Sequence, residues 1–143
     1  GDGLLYKDLV KYAKDLPELE FSGWIKDKHE FFDKIDIFCQ PSHFEPFGLT
    51  VIEAMSYGKA VISTKCDGPV EILNNNKKNG ILVSKKKPSE MTDAIISLIN
   101  DSHLHQEICD IAIKHIHKFY SINNLKKNLN SNMSNYFQLL HEK

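Results

Sequence analysis

Three short, continuous apolar runs constrain the fold of this chain more than any other feature. They are DIFCQ (residues 36–40), KAVIST (59–64) and GILV (80–83), and segments with helical periodicity separate them. Strands of a parallel sheet are covered on both faces, so they form continuous apolar runs instead of an alternating pattern. The order of strands and helices predicts an α/β fold, a Rossmann-like parallel sheet with helices on both faces.

The segment before these runs predicts two helices and one further strand. Apolar residues recur with helical spacing from residue 4 to 15, which predicts a helix with one buried stripe: Leu4, Leu5, Leu9, Val10 and Ala13. A short strand is expected to end at Gly23, and KDKHEFFDKI (26–35) reads as a short helix. The opening GDG is typical of a turn after a strand. We therefore expect residues 1–143 to form one domain that lacks its first strand or strands, as a piece of a two-domain protein.

Helices are predicted after each of the later strands. LTVIEAMSYG (49–58) is closed by Gly58, a residue that commonly ends helices, and GPVEILNNN (68–76) is expected to begin its helix near Pro69. Three more helices are predicted over residues 88–100, 102–119 and 122–140, as a helical C-terminal extension.

Composition and charge exclude several classes of protein. The net charge of -1 gives no electrostatic reason to expect nucleic acid as a partner. The N-terminal segment is amphipathic and charged, unlike a signal peptide. No apolar run approaches the length of about 20 residues needed to span a membrane. We expect a soluble, cytoplasmic protein, and a peripheral position at the inner face of a membrane stays open.

The metal-ligating residue types do not form a metal motif. The cysteines at 39, 66 and 109 have no paired spacing, which predicts free thiols. In HLH (103–105) and HIH (115–117) the two histidines are two positions apart, and residues at that spacing do not share a helix face. No metal site and no cofactor are predicted.

Two carboxylates in PSHFEPFGLTVIEAM (41–55) carry the chemical interest of the sequence. Glu53 lies within a helix that is apolar nearly all round, so its charge needs either a structural donor or ligand hydroxyls. Gly48 precedes the helix start, where unpaired N–H groups favour phosphate. Gly48 either lets a phosphate approach the backbone or only makes the turn. The histidine at 43 lies beside this proposed site.

At these residues the sequence resembles a known family. PSHFEPFGLTVIEAMSYGKAVIST (41–64), followed by DGPVEI (67–72) and NGILV (79–83), is similar to the C-terminal, donor-binding domain of GT-B retaining glycosyltransferases, often called family 4. The likeness covers nearly the whole chain. It includes the paired-glutamate signature of that family, present here as Glu45 and Glu53.

The resemblance implies a role for each matching residue. Glu45 is the catalytic candidate and would contact hydroxyls of the donor sugar, while Glu53 would hold the ribose hydroxyls. Backbone amides of the donor-binding segment would bind the sugar and the diphosphate, in the order Phe47, Gly48, Leu49 and Thr50. The turn at Gly23, Trp24 and Ile25 would lie beside the nucleobase. Gly68 falls in a loop that is usually Gly-Gly, and here it is preceded by Asp67, which departs from the pattern.

The implied partners are a nucleotide-diphosphate sugar and an acceptor, which is a glycan, a lipid or a small molecule. The basic pair that neutralises the diphosphate and the acceptor-binding N-terminal domain are not in this sequence, so we expect these residues alone to be inactive. The parent enzyme would transfer the glycosyl group to an acceptor hydroxyl with retention. The alternatives are a nucleotide-sugar epimerase or phosphorylase of the same architecture, and a non-catalytic module that binds a nucleotide sugar or a protein partner.

Overall fold

The computed structural model describes residues 3–73, 78–121 and 123–124. The chain divides into two compact units, residues 1–34 and residues 35–143. The helix predicted over residues 122–140 lies almost entirely outside the described residues. No helix among those described is long and apolar enough to cross a membrane.

The first unit contains two short helices, α1 (Tyr6–Tyr12) and α2 (Lys28–Asp33). Asp27 caps α2, since its Oδ1 accepts from the N–H groups of His29 at 2.9 Å and Glu30 at 3.2 Å. The prediction of a buried apolar stripe on α1 is wrong, because no residue of α1 is buried and Leu4 is fully exposed.

The prediction of a strand ending at Gly23 is also wrong. Residues 19–23 are irregular, and the described part of this unit has no strand with which they could pair. Apolar content alone does not make a strand, because the ladder of hydrogen bonds needs a neighbour.

The second unit is built on a three-stranded parallel sheet in the order β1 (Ile37–Gln40), β2 (Ala60–Thr64) and β3 (Ile81–Val83). Ile37 pairs with Ala60, and Ile62 pairs with Ile81. Every residue of the central strand β2 is buried, and this burial accounts for its three successive apolar residues, Ala60, Val61 and Ile62. The three strands predicted in this part of the chain are confirmed.

In the described part of this unit, four helices pack around the sheet: α3 (Leu49–Ser56), α4 (Asp67–Ile72), α5 (Pro88–Asn100) and α6 (Ser102–Phe119). Ala60 and Ile62 share a core cluster with residues of α5 and α6, while Val61, which points to the opposite face, is also fully buried. The expected α/β fold with helices on both faces is confirmed. The helix α4 begins at Asp67, two residues before the predicted start. Pro69 is tolerated in its first turn because the N–H groups of a first turn have no acceptor within the helix, so the missing N–H of proline costs no hydrogen bond.

The apolar sequence of α3 had suggested burial on several sides, and the structure does not show this. Val51, Ala54 and Met55 are fully buried, but Leu49 at its start is 62% exposed. One face of α3 therefore packs on the sheet and the other remains accessible.

Candidate functional site

The loop from Pro41 to Gly48 joins β1 to α3 at the carboxyl end of the sheet, where ligands bind in open α/β folds. Within it the carboxylate of Glu45 turns back on the chain. Its Oε1 accepts from the N–H of Gly48 at 2.8 Å and from the N–H of Phe47 at 3.3 Å. These amides were expected to meet the donor sugar directly; in the structure both donate to Glu45.

Gln40, the last residue of β1, fixes the other oxygen of this carboxylate. Its Nε2 donates to Oε2 of Glu45 and to the hydroxyl of Thr50, each at 3.1 Å. Its Oε1 is buried and has no hydrogen-bond partner among the described residues. Gln40 is not among the residues predicted from the sequence. A polar residue at the end of an otherwise apolar strand, five positions before Glu45, was the available signal.

Gly48 meets two separate demands at the start of α3. Its backbone is left-handed, with φ +87°, which disfavours any residue with a Cβ. A Cβ there would also lie 2.9 Å from Cδ1 of Ile72. Gly48 therefore makes the turn and also allows α4 to approach closely, so a ligand is not needed to explain this glycine.

Gly68 brings the start of α4 against this loop. Its N–H donates to the carbonyl oxygen of Glu45 at 3.1 Å, and a Cβ on Gly68 would lie 2.3 Å from backbone atoms of Phe47. Asp67, which stands where the family usually has the first of two glycines, does not disturb this contact, because Asp67 begins α4 and Gly68 makes the contact. The same loop is held from β2, because the hydroxyl of Thr64 donates to the carbonyl oxygen of Ser42 at 2.5 Å.

Leu49, Thr50 and Glu53 lie on α3 with different exposure. The N–H groups of Leu49 and Thr50 are in the first turn, where a helix offers no internal acceptor. Glu53 is half-buried, about one turn further along. Glu45 thus lies before the start of α3, the amide-bearing segment at its first turn, and Glu53 about one turn further into the helix.

Gly23, Trp24 and Ile25 belong to the first unit. Gly23 has a left-handed backbone with φ +64°, so the predicted turn is present, and Trp24 is 75% exposed. Their role beside a nucleobase stays a prediction.

The metal-ligating residue types of the described residues do not cluster. No group of three or more His, Cys, Asp or Glu among them could hold a metal ion. Burial raises the pKa of the Cys39 thiol, and burial followed by the charge of Asp110 raises the pKa of Cys109. Both thiols are therefore protonated at neutral pH and are weak nucleophiles.

The parallel sheet with helices on both faces defines an α/β domain, with the loop that holds Glu45 at the carboxyl end of its strands. Residues 2–115 match the family described as glycosyl transferases group 1. The chain belongs to this family, as its resemblance had suggested.

Curated relatives with similar sequences are enzymes of sucrose metabolism by name. Sucrose-phosphate synthase from Spinacia oleracea is 39% identical over 83 residues, which cover 58% of this chain and 8% of the relative. Sucrose synthase from Melioribacter roseus is 40% identical over 89 residues, covering 59% of this chain and 11% of the relative. The chain thus spans about a tenth of the length of the curated relatives it matches.

Solved structures share the fold over most of the chain. The C-terminal domain of LpcC, a glycosyl transferase group 1 protein from Francisella tularensis, is 34% identical with a TM-score of 0.69, over 81% of this chain and 60% of that one. TarM, from S. aureus, is 28% identical with a TM-score of 0.79, over 91% and 27% of the two chains. HepE from Anabaena, solved with UDP, is 23% identical with a TM-score of 0.83, over 90% and 36%.

Proposed function

We propose that this chain is the donor-binding part of a retaining glycosyltransferase and that it binds a nucleotide-diphosphate sugar. The observation that carries the proposal is the position of the Glu45 carboxylate, which is held by two backbone amides and by Gln40 at the start of α3. A side chain fixed on both oxygens is preorganised to meet a ligand. HepE, which shares the fold, has been solved with UDP and with UDP-glucose.

The hydrogen-bonding capacity of Glu45 leaves room for a sugar hydroxyl. An ionised carboxylate has about four acceptor sites. In the structure Oε1 accepts two hydrogen bonds and Oε2 accepts one. We assign the remaining site, on Oε2, to a hydroxyl of the donor sugar. Phe47 and Gly48 would then act on the sugar through the carboxylate that they orient.

The diphosphate fits the first turn of α3. The N–H groups of Leu49 and Thr50 and the positive end of the helix dipole favour an anion there. The half-buried carboxylate of Glu53 would accept from the ribose hydroxyls further along the helix. The binding step we propose uses no metal ion, so excess EDTA should leave the affinity unchanged.

Transfer itself belongs to the parent enzyme. A transition state with oxocarbenium character releases a diphosphate, and amides fixed at the helix start stabilise that developing charge. The acceptor is a hydroxyl of a glycan, a lipid or a small molecule. A panel of UDP-, GDP- and ADP-sugars, assayed with the full-length enzyme, would name the donor, and the anomeric configuration of the product by NMR would test retention.

The division of roles between the two glutamates can be tested by calorimetry with UDP, GDP and ADP and their sugar derivatives. Glu53→Gln should weaken the nucleoside diphosphate and its sugar derivative alike. Glu45→Gln should weaken only the sugar-bearing form. Glu18→Gln, a substitution at an exposed residue of the first unit, is the control. Equal losses for both ligands in both variants would contradict the assignment.

A further inference from the structure

A concave site lies at the carboxyl ends of β2 and β3, beside the beginning of the loop that leads from β1 to α3. It is a cleft of about 430 Å³, within the range of small-molecule pockets. Its inner wall is aliphatic: Val83 is buried, and Met91 and Ile95 of α5 are half-buried. Such a wall favours an alkyl body over a polar one.

The outer part of the cleft is cationic. Lys86 and Lys87 line it, and both are exposed. No carboxylate of the described residues forms an ion pair with either ammonium group. The sequence contains no arginine, so lysine is the side chain by which this protein offers a permanent positive charge to a phosphate.

The carboxylate of Glu90 is already hydrogen-bonded to the backbone, and it lies near enough to Lys87 for that charge to contribute to its lowered pKa. Oε2 of Glu90 accepts from the N–H of Ser84 at 2.7 Å, and this hydrogen bond is the main cause that lowers the pKa of Glu90. The bond fixes the turn that leads from β3 into α5 and presents the two lysines. Within that turn Lys86 has a left-handed backbone with φ +59°, an uncommon conformation for a residue with a side chain.

We propose that this cleft binds a phosphate monoester carried on an alkyl chain. The phosphate lies between Lys86 and Lys87, and the chain lies against Val83, Met91 and Ile95. Such a ligand is either a soluble ester or the headgroup of a lipid in a bilayer. The cleft adjoins the loop that holds Glu45, since Pro41 and His43 of that loop also line it. The two lysines and the aliphatic wall nevertheless have no part in the nucleotide binding proposed above.

Calorimetry with octyl phosphate tests the proposal, with inorganic phosphate and octyl glucoside as probes for each half of the ligand. Octyl phosphate should bind more tightly than both. Lys86→Gln and Lys87→Gln should each weaken it about threefold to fivefold, as expected for exposed charge pairs. Lys85→Gln removes the same charge from the same turn but does not line the cleft, so it should leave the affinity unchanged. Met91→Gln should weaken octyl phosphate and leave inorganic phosphate unaffected.

Two outcomes would overturn the site: equal weakening by Lys85→Gln, which indicates a diffuse charge effect, and equal affinity for inorganic phosphate and octyl phosphate. Cosedimentation with phosphatidylcholine vesicles, with and without phosphatidic acid, separates the two sources of ligand. Binding to the acidic vesicles that depends on Lys86 and Lys87 supports the site and assigns a lipid. Binding of octyl phosphate alone supports it and assigns a soluble ester. Glu53→Gln should bind octyl phosphate normally, even if nucleotides fail to bind.

Discussion

The side-chain amide of Gln40 holds one oxygen of the Glu45 carboxylate, while backbone amides hold the other. Nε2 of Gln40 bridges Glu45 and Thr50, so it links the residue proposed to contact the sugar with the residue proposed to contact the diphosphate. Gln40→Ala should lower the affinity for the nucleotide sugar about fivefold, since a hydrogen bond contributes about 1 kcal/mol. The affinity for the nucleoside diphosphate alone should change less, and calorimetry with the two ligands measures the difference.

Gln106 provides a matched control for this substitution. It also donates through Nε2, to Oδ1 of Asp110 at 2.9 Å, but on the exposed side of α6. Gln106→Ala should change neither affinity. If Gln40→Ala weakened both ligands to the same extent, Gln40 would only support the fold of the loop.

Gly68 offers a second prediction at the scale of one residue. Because an added Cβ would lie 2.3 Å from backbone atoms of Phe47, the start of α4 and the loop before α3 must separate in Gly68→Ala. Overpacking of this kind costs about 1–3 kcal/mol. We expect a lower free energy of unfolding in urea and weaker binding of the nucleotide sugar. A Cβ on Gly3 would meet no atom within 4 Å, so Gly3→Ala should behave as the wild type. Unchanged binding by Gly68→Ala would show that the loop contact is not needed for the site.

Among the elements, α3 ends in a Schellman motif that the sequence signalled through Gly58. The N–H of Gly58 donates to the carbonyl of Met55 at 3.0 Å, and the N–H of Lys59 donates to the carbonyl of Ala54 at 3.0 Å. Gly58 has φ +70°, and an added Cβ would also lie 2.9 Å from Cδ1 of Ile113. Gly58→Ala should therefore lower the free energy of unfolding by about 1–2 kcal/mol.

Gly58→Asn separates the two causes. Asparagine carries the same Cβ and meets the same Ile113 atom, but it tolerates the left-handed region better than alanine. Denaturation in urea should show a smaller loss for Asn than for Ala. Equal losses would mean that the contact with Ile113, and not the backbone conformation, dominates.

Elements with strong local signals were predictable from the sequence, and elements that depend on a partner were not. The helices α5 and α6 begin and end where predicted, since Pro88 favours a first turn and Asp101 accepts from the N–H of Leu104 as a cap. The strand expected before Gly23 failed because nothing in its sequence states whether a neighbour is present. The bridge from Gln40 to Glu45 joins residues only five apart, yet no periodicity predicts the direction of a side chain in an irregular loop.

At the scale of the whole molecule, burial is divided unevenly between the two units. In the second unit the core runs through β2, α3, α5 and α6. In the first unit α1 has no buried residue, and Phe32 is the buried side chain of α2. Stability within one chain follows burial, so the two units should open with different free energies.

Native-state hydrogen exchange on this chain tests that expectation. An isolated helix shorter than about 12–15 residues is marginal in water, and α1 has 7 residues with no buried face to support it. Its amides should exchange with a protection free energy near zero. The amides of Val61 and Ile62, in a strand whose every residue is buried, should exchange only through global unfolding. The amides of α2 should fall between these limits, since Asp27 caps the helix and Phe32 is buried. Protection of α1 equal to that of β2 would contradict this expectation, because α1 has no buried side chain that could stabilise it to that extent.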